Sequence, residues 1–209
     1  MTEPERPRHF SMIRDFQLAD FFTLANGFAG MAAVLGAMKY LSTRDEGFLL
    51  GSFALLPLAL LCDVLDGRIA RWRHKVSLLG QELDSLADLV SFGVAPAALG
   101  FVLGLQGGWD GAVLTFFVGC GISRLARFNA TAAALADESG KVRYYEGTPI
   151  PTSLVLVLGL FQLQREGRTG PLLPLGVWHL GPWDLHPIAL VFFVSGCAMI
   201  SKTLRIPKP

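Results

Sequence analysis

Long apolar stretches are the feature that most constrains how this chain can fold. A helix needs about 20 mostly apolar residues to cross a bilayer. Apolar residue types make up 52% of the 209 residues, which is high for a soluble domain. Six stretches are candidate spans, and the fifth is short enough to need extension at either end: residues 21–41, 48–70, 83–105, 111–128, 151–163 and 187–200. The sequence therefore predicts an all-α integral membrane protein, a bundle of six transmembrane helices.

The distribution of Lys and Arg predicts the orientation of the six spans. Cytoplasmic loops of membrane proteins collect these residues. With six spans, fourteen of the 18 Lys and Arg residues fall on the side of both termini, and four fall on the other side. Both termini are therefore expected in the cytoplasm, in a multi-pass protein of the cell membrane. The net charge of only +1 gives no indication of a nucleic-acid partner.

Residues 1–20 are expected to form a cytoplasmic or interfacial segment. They lack the compact layout of a cleavable signal, so insertion without cleavage is expected. Five apolar residues share this stretch with charged ones, which predicts a short interfacial helix: Phe10, Met12, Ile13, Phe16 and Leu18. An ordinary juxtamembrane linker is the alternative. Because no internal repeat is visible, we expect one membrane domain over residues 1–209.

Four aspartates at the ends of the second and third candidate spans form the most informative pattern in the sequence. On a helix, Asp63 and Asp66 share one face, and Asp84 and Asp88 share another. The connection between the two helices is short, so they are expected to be antiparallel neighbours whose carboxylates meet. Small residues and one arginine lie on the same faces: Gly67, Ala70, Arg71 and Gly80.

Clustered carboxylates next to hydrocarbon indicate a metal site. Four negative charges would repel one another, and each would be costly to desolvate. Arg71 supplies one positive charge, so one or two divalent cations are expected, and all-oxygen ligands favour Mg²⁺ or Mn²⁺ over zinc. Gly67, Ala70 and Gly80 either clear space for a bulky group or serve close helix packing. Because Mg²⁺ pairs with phosphate oxygens, the expected substrate is a diphosphate attached to a lipid.

Written as a pattern, these residues read D-x2-D-G-x2-A-R-x8-G-x3-D-x3-D, from Asp63 to Asp88. The pattern resembles the complete motif of the CDP-alcohol phosphotransferases, and every fixed position matches. Members of that family are six-helix integral membrane enzymes and usually homodimers. The resemblance implies transfer of a phosphatidyl group from a CDP-linked lipid to a small alcohol. It also implies two divalent metal ions, Mg²⁺ or Mn²⁺, that bridge the diphosphate.

The resemblance implies roles for individual residues. The metal ligands would be Asp63, Asp66, Asp84 and Asp88, and Asp88 would also be the catalytic general base that accepts the proton of the alcohol. The CDP-lipid would contact residues of the first three spans and the connection after the second: Asn26, Gly27, Asp66, Gly67, Ala70, Arg71, Ser77 and Gly80. For Asn26, a hydrogen bond between helices is the alternative.

A narrower resemblance lies outside the motif. The segments at residues 23–27, 88–96, 123–129 and 145–151 are similar to bacterial and archaeal phosphatidylserine synthases, a branch of the same family. This similarity implies CDP-diacylglycerol and L-serine as substrates, contact with membrane lipid, and a homodimer. Three residues at the inner end of the fourth span would bind the acceptor or a phosphate: Arg124, Arg127 and Asn129. Anchoring to lipid headgroups is the alternative for the two arginines.

Two other functions are compatible with the pattern. The same chemistry could use another acceptor, such as glycerol 3-phosphate or an inositol phosphate, whose pocket would need more positive charge. A cation transporter or channel is the alternative from a different class. The aspartates crowd at the inner ends of two adjacent helices, and no polar residues continue a path outward. We therefore favour the enzyme.

Overall fold

The chain is described by a computed structural model over residues 17–73, 78–135 and 144–207. Most of these residues are helical. The longer helices are α1 (Leu18–Thr43), α2 (Glu46–Arg73), α3 (Leu78–Asp88), α4 (Ala95–Val102) and α5 (Gly108–Leu135). A π-helix, Leu89–Val94, joins α3 directly to α4, so that the two form one continuous rod. The last motif aspartate, Asp88, is the residue immediately before this π-helix.

The second half of the described chain contains shorter elements. A 3₁₀ turn, Ile150–Ser153, leads into α6 (Leu154–Arg165), and another, Pro187–Ala189, leads into α7 (Leu190–Ile200). A third 3₁₀ turn covers Gly170–Leu172. Four short strands form two antiparallel pairs, β1 (Tyr144–Glu146) with β4 (Arg205–Pro207) and β2 (Trp178–Leu180) with β3 (Trp183–Leu185). The β2–β3 hairpin turns at Gly181, whose φ of 67° favours glycine.

The described helices agree with a multi-pass membrane protein. Four of them are long and apolar enough to cross a bilayer: Leu18–Thr43, Glu46–Ile69, Leu79–Val102 and Gly108–Thr131. The fifth and sixth predicted spans are also helical, but as the shorter segments Ile150–Arg165 and Pro187–Ile200. Six complete spans therefore remain a prediction. The predicted interfacial helix lies almost wholly outside the described residues, which begin at residue 17.

Helix α1 packs closely against its neighbours through small residues. A Cβ placed on Gly30 would come within 2.6 Å of the Cα of Ser91 in the π-helix. One on Gly36 would meet the Ser52 Oγ and lie 3.1 Å from the backbone oxygen of Phe48, both in α2. Glycine at these two positions therefore lets α1 lie against both elements. The buried stripe of α1 is apolar towards its end but polar near its start, where Thr23 and Asn26 are buried. This polar portion faces the motif aspartates.

Aromatic packing joins the later helices to the same core. The rings of Phe117 in α5 and Phe192 in α7 meet edge to face, with centroids 5.3 Å apart. A Cβ on Gly100 of α4 would lie 3.2 Å from the Phe192 ring, so α4 closes over this pair. These contacts place α5 beside the rod formed by α3, the π-helix and α4.

A buried carboxylate organises the end of the bundle opposite the aspartate motif. Asp110, in the first turn of α5, is fully buried. Its Oδ1 accepts a hydrogen bond from the backbone N–H of His186 at 2.8 Å. Its Oδ2 accepts from the backbone N–H of Gly107 at 2.8 Å and from the ring Nδ1 of His186 at 2.6 Å. Asp110 thus ties the start of α5 to the segment that precedes α7.

Replacing Asp110 with alanine is expected to destabilise the protein by about 2–5 kcal/mol, because three donors, two of them buried, lose a charged acceptor. Thermal unfolding of the purified protein in detergent measures the change. The matched control is Asp184→Ala, since Asp184 bonds the exposed His179 at 2.6 Å on the hairpin surface. Its expected cost is within about 1 kcal/mol. Equal losses in the two variants would contradict a structural role specific to Asp110.

Candidate metal and substrate site

The first three motif aspartates come together in space. Asp63 and Asp66 lie near the end of α2, and Asp84 lies one turn before the end of α3. Each offers a carboxylate oxygen, and these oxygens all lie within 4.8 Å of one another. Asp66 is buried, while Asp63 and Asp84 are half-buried. Three of the four predicted carboxylates, contributed by α2 and α3, thus meet at one point.

Asp88 occupies a different position from the other three. It is buried and is not part of the group whose oxygens lie within 4.8 Å. Its Oδ1 accepts a hydrogen bond from the Nδ2 of Asn26 in α1 at 3.0 Å. The four aspartates are therefore not equivalent, because three of them face one another and the fourth is held by a neutral amide.

The predicted site did not include Thr23, which the structure adds. Its hydroxyl donates to the Oδ2 of Asp66 at 2.7 Å, and Thr23 is itself buried. The signal in the sequence is that Thr23 and Asn26 are polar residues three positions apart in a mostly apolar helix, which places them on neighbouring parts of one face. Helix α1 therefore contributes to the site as well as α2 and α3.

The donor set of this cluster suits a hard divalent cation. Asp63, Asp66 and Asp84 offer only carboxylate oxygens, the ligands that Mg²⁺ and Mn²⁺ prefer. The Oδ1 of Asp84 is buried and has no hydrogen-bond partner among the described residues. A buried carboxylate oxygen without a donor is costly, and a cation would satisfy it. The residues present therefore fit a metal ion.

Residues around the cluster leave room for a substrate on the α2 side. A Cβ built on Gly67 would meet only the Nη1 of Arg71, at 3.8 Å, and Arg71 is exposed. Gly27 lies instead against Ala87, with a Cβ separation of 3.4 Å, so its small size also serves packing of α1 on α3. Gly80 is half-buried near the start of α3. Ser77 lies outside the described residues, as does the side chain of Ala70.

The predicted acceptor residues lie on α5 beside α3. The Nδ2 of Asn129 donates to the Oγ of Ser85 at 3.0 Å, next to Asp84 in the chain. The guanidinium carbon of Arg124 lies 5.8 Å from the centroid of the Phe128 ring. Arg124 and Arg127 are both half-buried. Asn129 is thus hydrogen-bonded to Ser85, the residue that follows Asp84. The substrate roles of Arg124, Arg127 and Asn129 remain predictions.

Comparison with known proteins gives consistent relatives. The family profile described as CDP-alcohol phosphatidyltransferase matches residues 16–196. A Saccharomyces cerevisiae protein is 48% identical over 204 residues, which cover 96% of this chain and 74% of the relative. A Methanocaldococcus jannaschii protein is 34% identical, covering 95% and 89%, and a Mycobacterium leprae protein is 32% identical, covering 97% and 61%. Each relative carries the name CDP-diacylglycerol–serine O-phosphatidyltransferase.

Proposed function

The chain belongs to the CDP-alcohol phosphatidyltransferase family, and we propose that it transfers the phosphatidyl group of CDP-diacylglycerol to L-serine, forming phosphatidylserine and CMP. One observation carries the reaction class: the motif aspartates of α2 and α3 bring three carboxylates within 4.8 Å of one another. The choice of serine follows the names of relatives that align with almost the whole chain.

In the proposed reaction, the serine hydroxyl oxygen attacks the phosphatidyl phosphorus of CDP-diacylglycerol. A new phosphorus–oxygen bond forms, and the bond from that phosphorus to the bridging oxygen breaks, so that CMP leaves with the bonding electron pair. Asp88 accepts the hydroxyl proton. Its burial and its hydrogen bond to the neutral amide of Asn26 support this assignment.

The remaining aspartates hold the metal in this proposal. Asp63, Asp66 and Asp84 supply its ligands, and Asp88 contributes one further oxygen. Two ions are proposed, Mg²⁺ or Mn²⁺, which when bound would neutralise the diphosphate and stabilise the charge that develops on it. The protein itself supplies the fixed carboxylates and excludes water from around Asp66 and Asp88, which are buried.

The CDP-lipid is proposed to lie over the open face of α2. Gly67 leaves space there, and the exposed guanidinium of Arg71 is available to a phosphate oxygen. Gly80, Ala70 and Ser77 are proposed to border the same substrate. Asn129 and the two arginines of α5 are proposed to face the acceptor.

Arg71→Ala is expected to raise the KM for CDP-diacylglycerol by about tenfold while kcat falls less, because a phosphate contact made before the chemical step is lost. Steady-state kinetics in mixed micelles measure both constants. The matched control is Arg68→Ala, an exposed arginine of the same helix that stands outside the motif. An unchanged KM in Arg71→Ala would contradict the phosphate contact.

The arrangement in the membrane is also proposed. Six spans would place both termini and the aspartate site on the cytoplasmic side, where the excess of Lys and Arg lies. The segments Ile150–Arg165 and Pro187–Ile200 would be the fifth and sixth spans. A single domain over residues 1–209 and a homodimer complete the proposal, and the homodimer rests on the family resemblance alone.

An acceptor panel tests the proposed function. Purified protein is incubated with CDP-diacylglycerol, Mn²⁺ and L-serine, glycerol 3-phosphate, inositol phosphate or no acceptor, and released CMP is measured. We expect CMP release with L-serine only. Release with glycerol 3-phosphate but not with serine would overturn the acceptor assignment. The absence of CMP release with every acceptor tested would overturn the enzyme assignment.

A further inference from the structure

Helix α1 reaches both aspartate-bearing helices through two buried hydrogen bonds. The Thr23 hydroxyl bonds the Oδ2 of Asp66 at 2.7 Å, and the Asn26 amide bonds the Oδ1 of Asp88 at 3.0 Å. Thr23 is 3% exposed and Asn26 is 0% exposed, so water does not compete for either bond. Each bond engages one oxygen of its carboxylate in the structure and leaves the other oxygen for a different partner.

Close packing of α1 against its neighbours fixes the positions of Thr23 and Asn26. Gly27 contacts Ala87 of α3, and Gly30 is so close to Ser91 that no larger residue fits. The Oγ of Ser91 also donates to the backbone carbonyl of Asn26 at 2.8 Å. The Ser91 hydroxyl therefore joins α1 to the π-helix without any contribution from the side chain of Asn26.

Burial of the Asn26 amide is unfavourable at its oxygen atom. Its Oδ1 is buried and has no hydrogen-bond partner among the described residues. Burying a carbonyl oxygen without a hydrogen-bond donor is unfavourable, and the Ser91 hydroxyl already joins α1 to the π-helix. Packing alone thus gives little reason for an amide at this position.

We propose that Thr23 and Asn26 are positioning residues, which orient the carboxylates of Asp66 and Asp88 by holding one oxygen of each. A carboxylate otherwise rotates easily about its last side-chain torsion, which is broad and nearly two-fold. Helix α1 thereby fixes a metal ligand on one helix and the base on the other relative to each other. This inference rests on the proposed roles of Asp66 and Asp88, and it assigns Asn26 to Asp88 instead of to the nucleotide.

The first test separates positioning from substrate binding at Asn26. Asn26→Leu keeps the side-chain volume but removes the donor, and kcat for serine-dependent CMP release is expected to fall about 10- to 100-fold. The KM for CDP-diacylglycerol is expected to stay within about twofold, since no substrate contact is lost. A raised KM with an unchanged kcat would overturn the proposal and make Asn26 a nucleotide contact.

Ser91→Ala is the matched control. It removes the other hydrogen bond between α1 and the rod but leaves both carboxylates and both donors in place. Its kcat is expected to stay within about twofold of the wild type, with thermal unfolding recorded for every variant. A kcat loss equal to that of Asn26→Leu would show that helix packing, and not orientation of Asp88, accounts for the effect.

The second test measures how Thr23 affects the affinity for Mn²⁺ in the absence of substrates. Free Mn²⁺ is quantified by electron paramagnetic resonance during titration of the purified protein. Thr23→Val, which lacks the hydroxyl, is expected to bind Mn²⁺ about tenfold more weakly, while Thr23→Ser, which keeps it, stays near the wild type. Equal affinities in the two variants would overturn the role of Thr23. This measurement does not depend on the acceptor, so it remains decisive if the wild type releases no CMP with serine.

Discussion

Asp88→Asn is expected to lower kcat for serine-dependent CMP release by about 10³-fold or more, while the affinity for CDP-diacylglycerol stays within a few-fold of the wild type. Asparagine has the size of aspartate but cannot accept the hydroxyl proton, and a positioned base contributes about 10²- to 10⁴-fold to such a reaction. The amide oxygen of the new side chain can still accept the bond from Asn26, so the local structure is expected to persist.

Two measurements on this variant separate the possible roles of Asp88. Turnover gives kcat, and equilibrium binding of CDP-diacylglycerol in the presence of Mn²⁺ gives the affinity. The matched control is Glu82→Gln, which neutralises an exposed carboxylate of the same helix and should change neither quantity by more than about twofold. If binding and turnover of Asp88→Asn fall together, Asp88 is chiefly a metal ligand and the base is another group.

Removing the metal, or one of its ligands, is expected to abolish activity. Treatment with EDTA should reduce CMP release to background, and added Mg²⁺ or Mn²⁺ should restore it, because Asp63, Asp66 and Asp84 bring carboxylate oxygens within 4.8 Å of one another, and a bound cation would offset their repulsion. Asp84→Asn should remain inactive after metal is added back, since its Oδ1 is the buried oxygen that lacks a partner among the described residues. Loss of one ligand from so small a set leaves too few oxygens for a tightly held ion.

The metal prediction is checked by measuring both activity and bound Mn²⁺. Wild-type protein, Asp84→Asn and the control Glu82→Gln are stripped with EDTA, desalted and titrated with Mn²⁺. Glu82→Gln should bind and react like the wild type. Full activity of the stripped wild-type protein, or normal Mn²⁺ binding by Asp84→Asn, would contradict the proposed metal site.

Much of the site could be predicted because its signals are local. The spacing of Asp63 and Asp66 places both on one helical face, as does the spacing of Asp84 and Asp88, and a short connection makes the two helices neighbours. The structure confirms that carboxylates of both helices meet. Apolar length likewise located four helices that are long enough to cross a bilayer, and two shorter apolar helices lie at the fifth and sixth predicted spans.

The parts that could not be predicted depend on contacts between distant segments. Thr23 meets Asp66 across 43 positions and Asn26 meets Asp88 across 62, and no local spacing encodes such a pairing. Equal helical spacing also could not show that Asp88 lies outside the group of three carboxylates within 4.8 Å of one another and bonds Asn26.

The hairpin segment before α7 likewise depends on contacts between distant residues. The region is rich in glycine and proline, which favour turns, and the structure contains the β2–β3 hairpin there. The hairpin carries Trp183, whose ring packs on Trp109 of α5 at a centroid distance of 5.3 Å. The buried pair of Asp110 and His186 lies close by and likewise joins residues 76 positions apart. Tertiary contacts, not strand periodicity, hold this segment.

One mass balance on the purified protein tests the proposed metal-dependent transfer most directly. CDP-diacylglycerol and isotopically labelled L-serine are supplied with Mn²⁺ or with EDTA, and CMP and labelled phosphatidylserine are both quantified. We predict that the two products form in equal amounts with Mn²⁺ and that neither forms with EDTA. CMP released without labelled phosphatidylserine, or product formation that EDTA does not affect, would contradict phosphatidyl transfer to serine at a metal site built from the four aspartates.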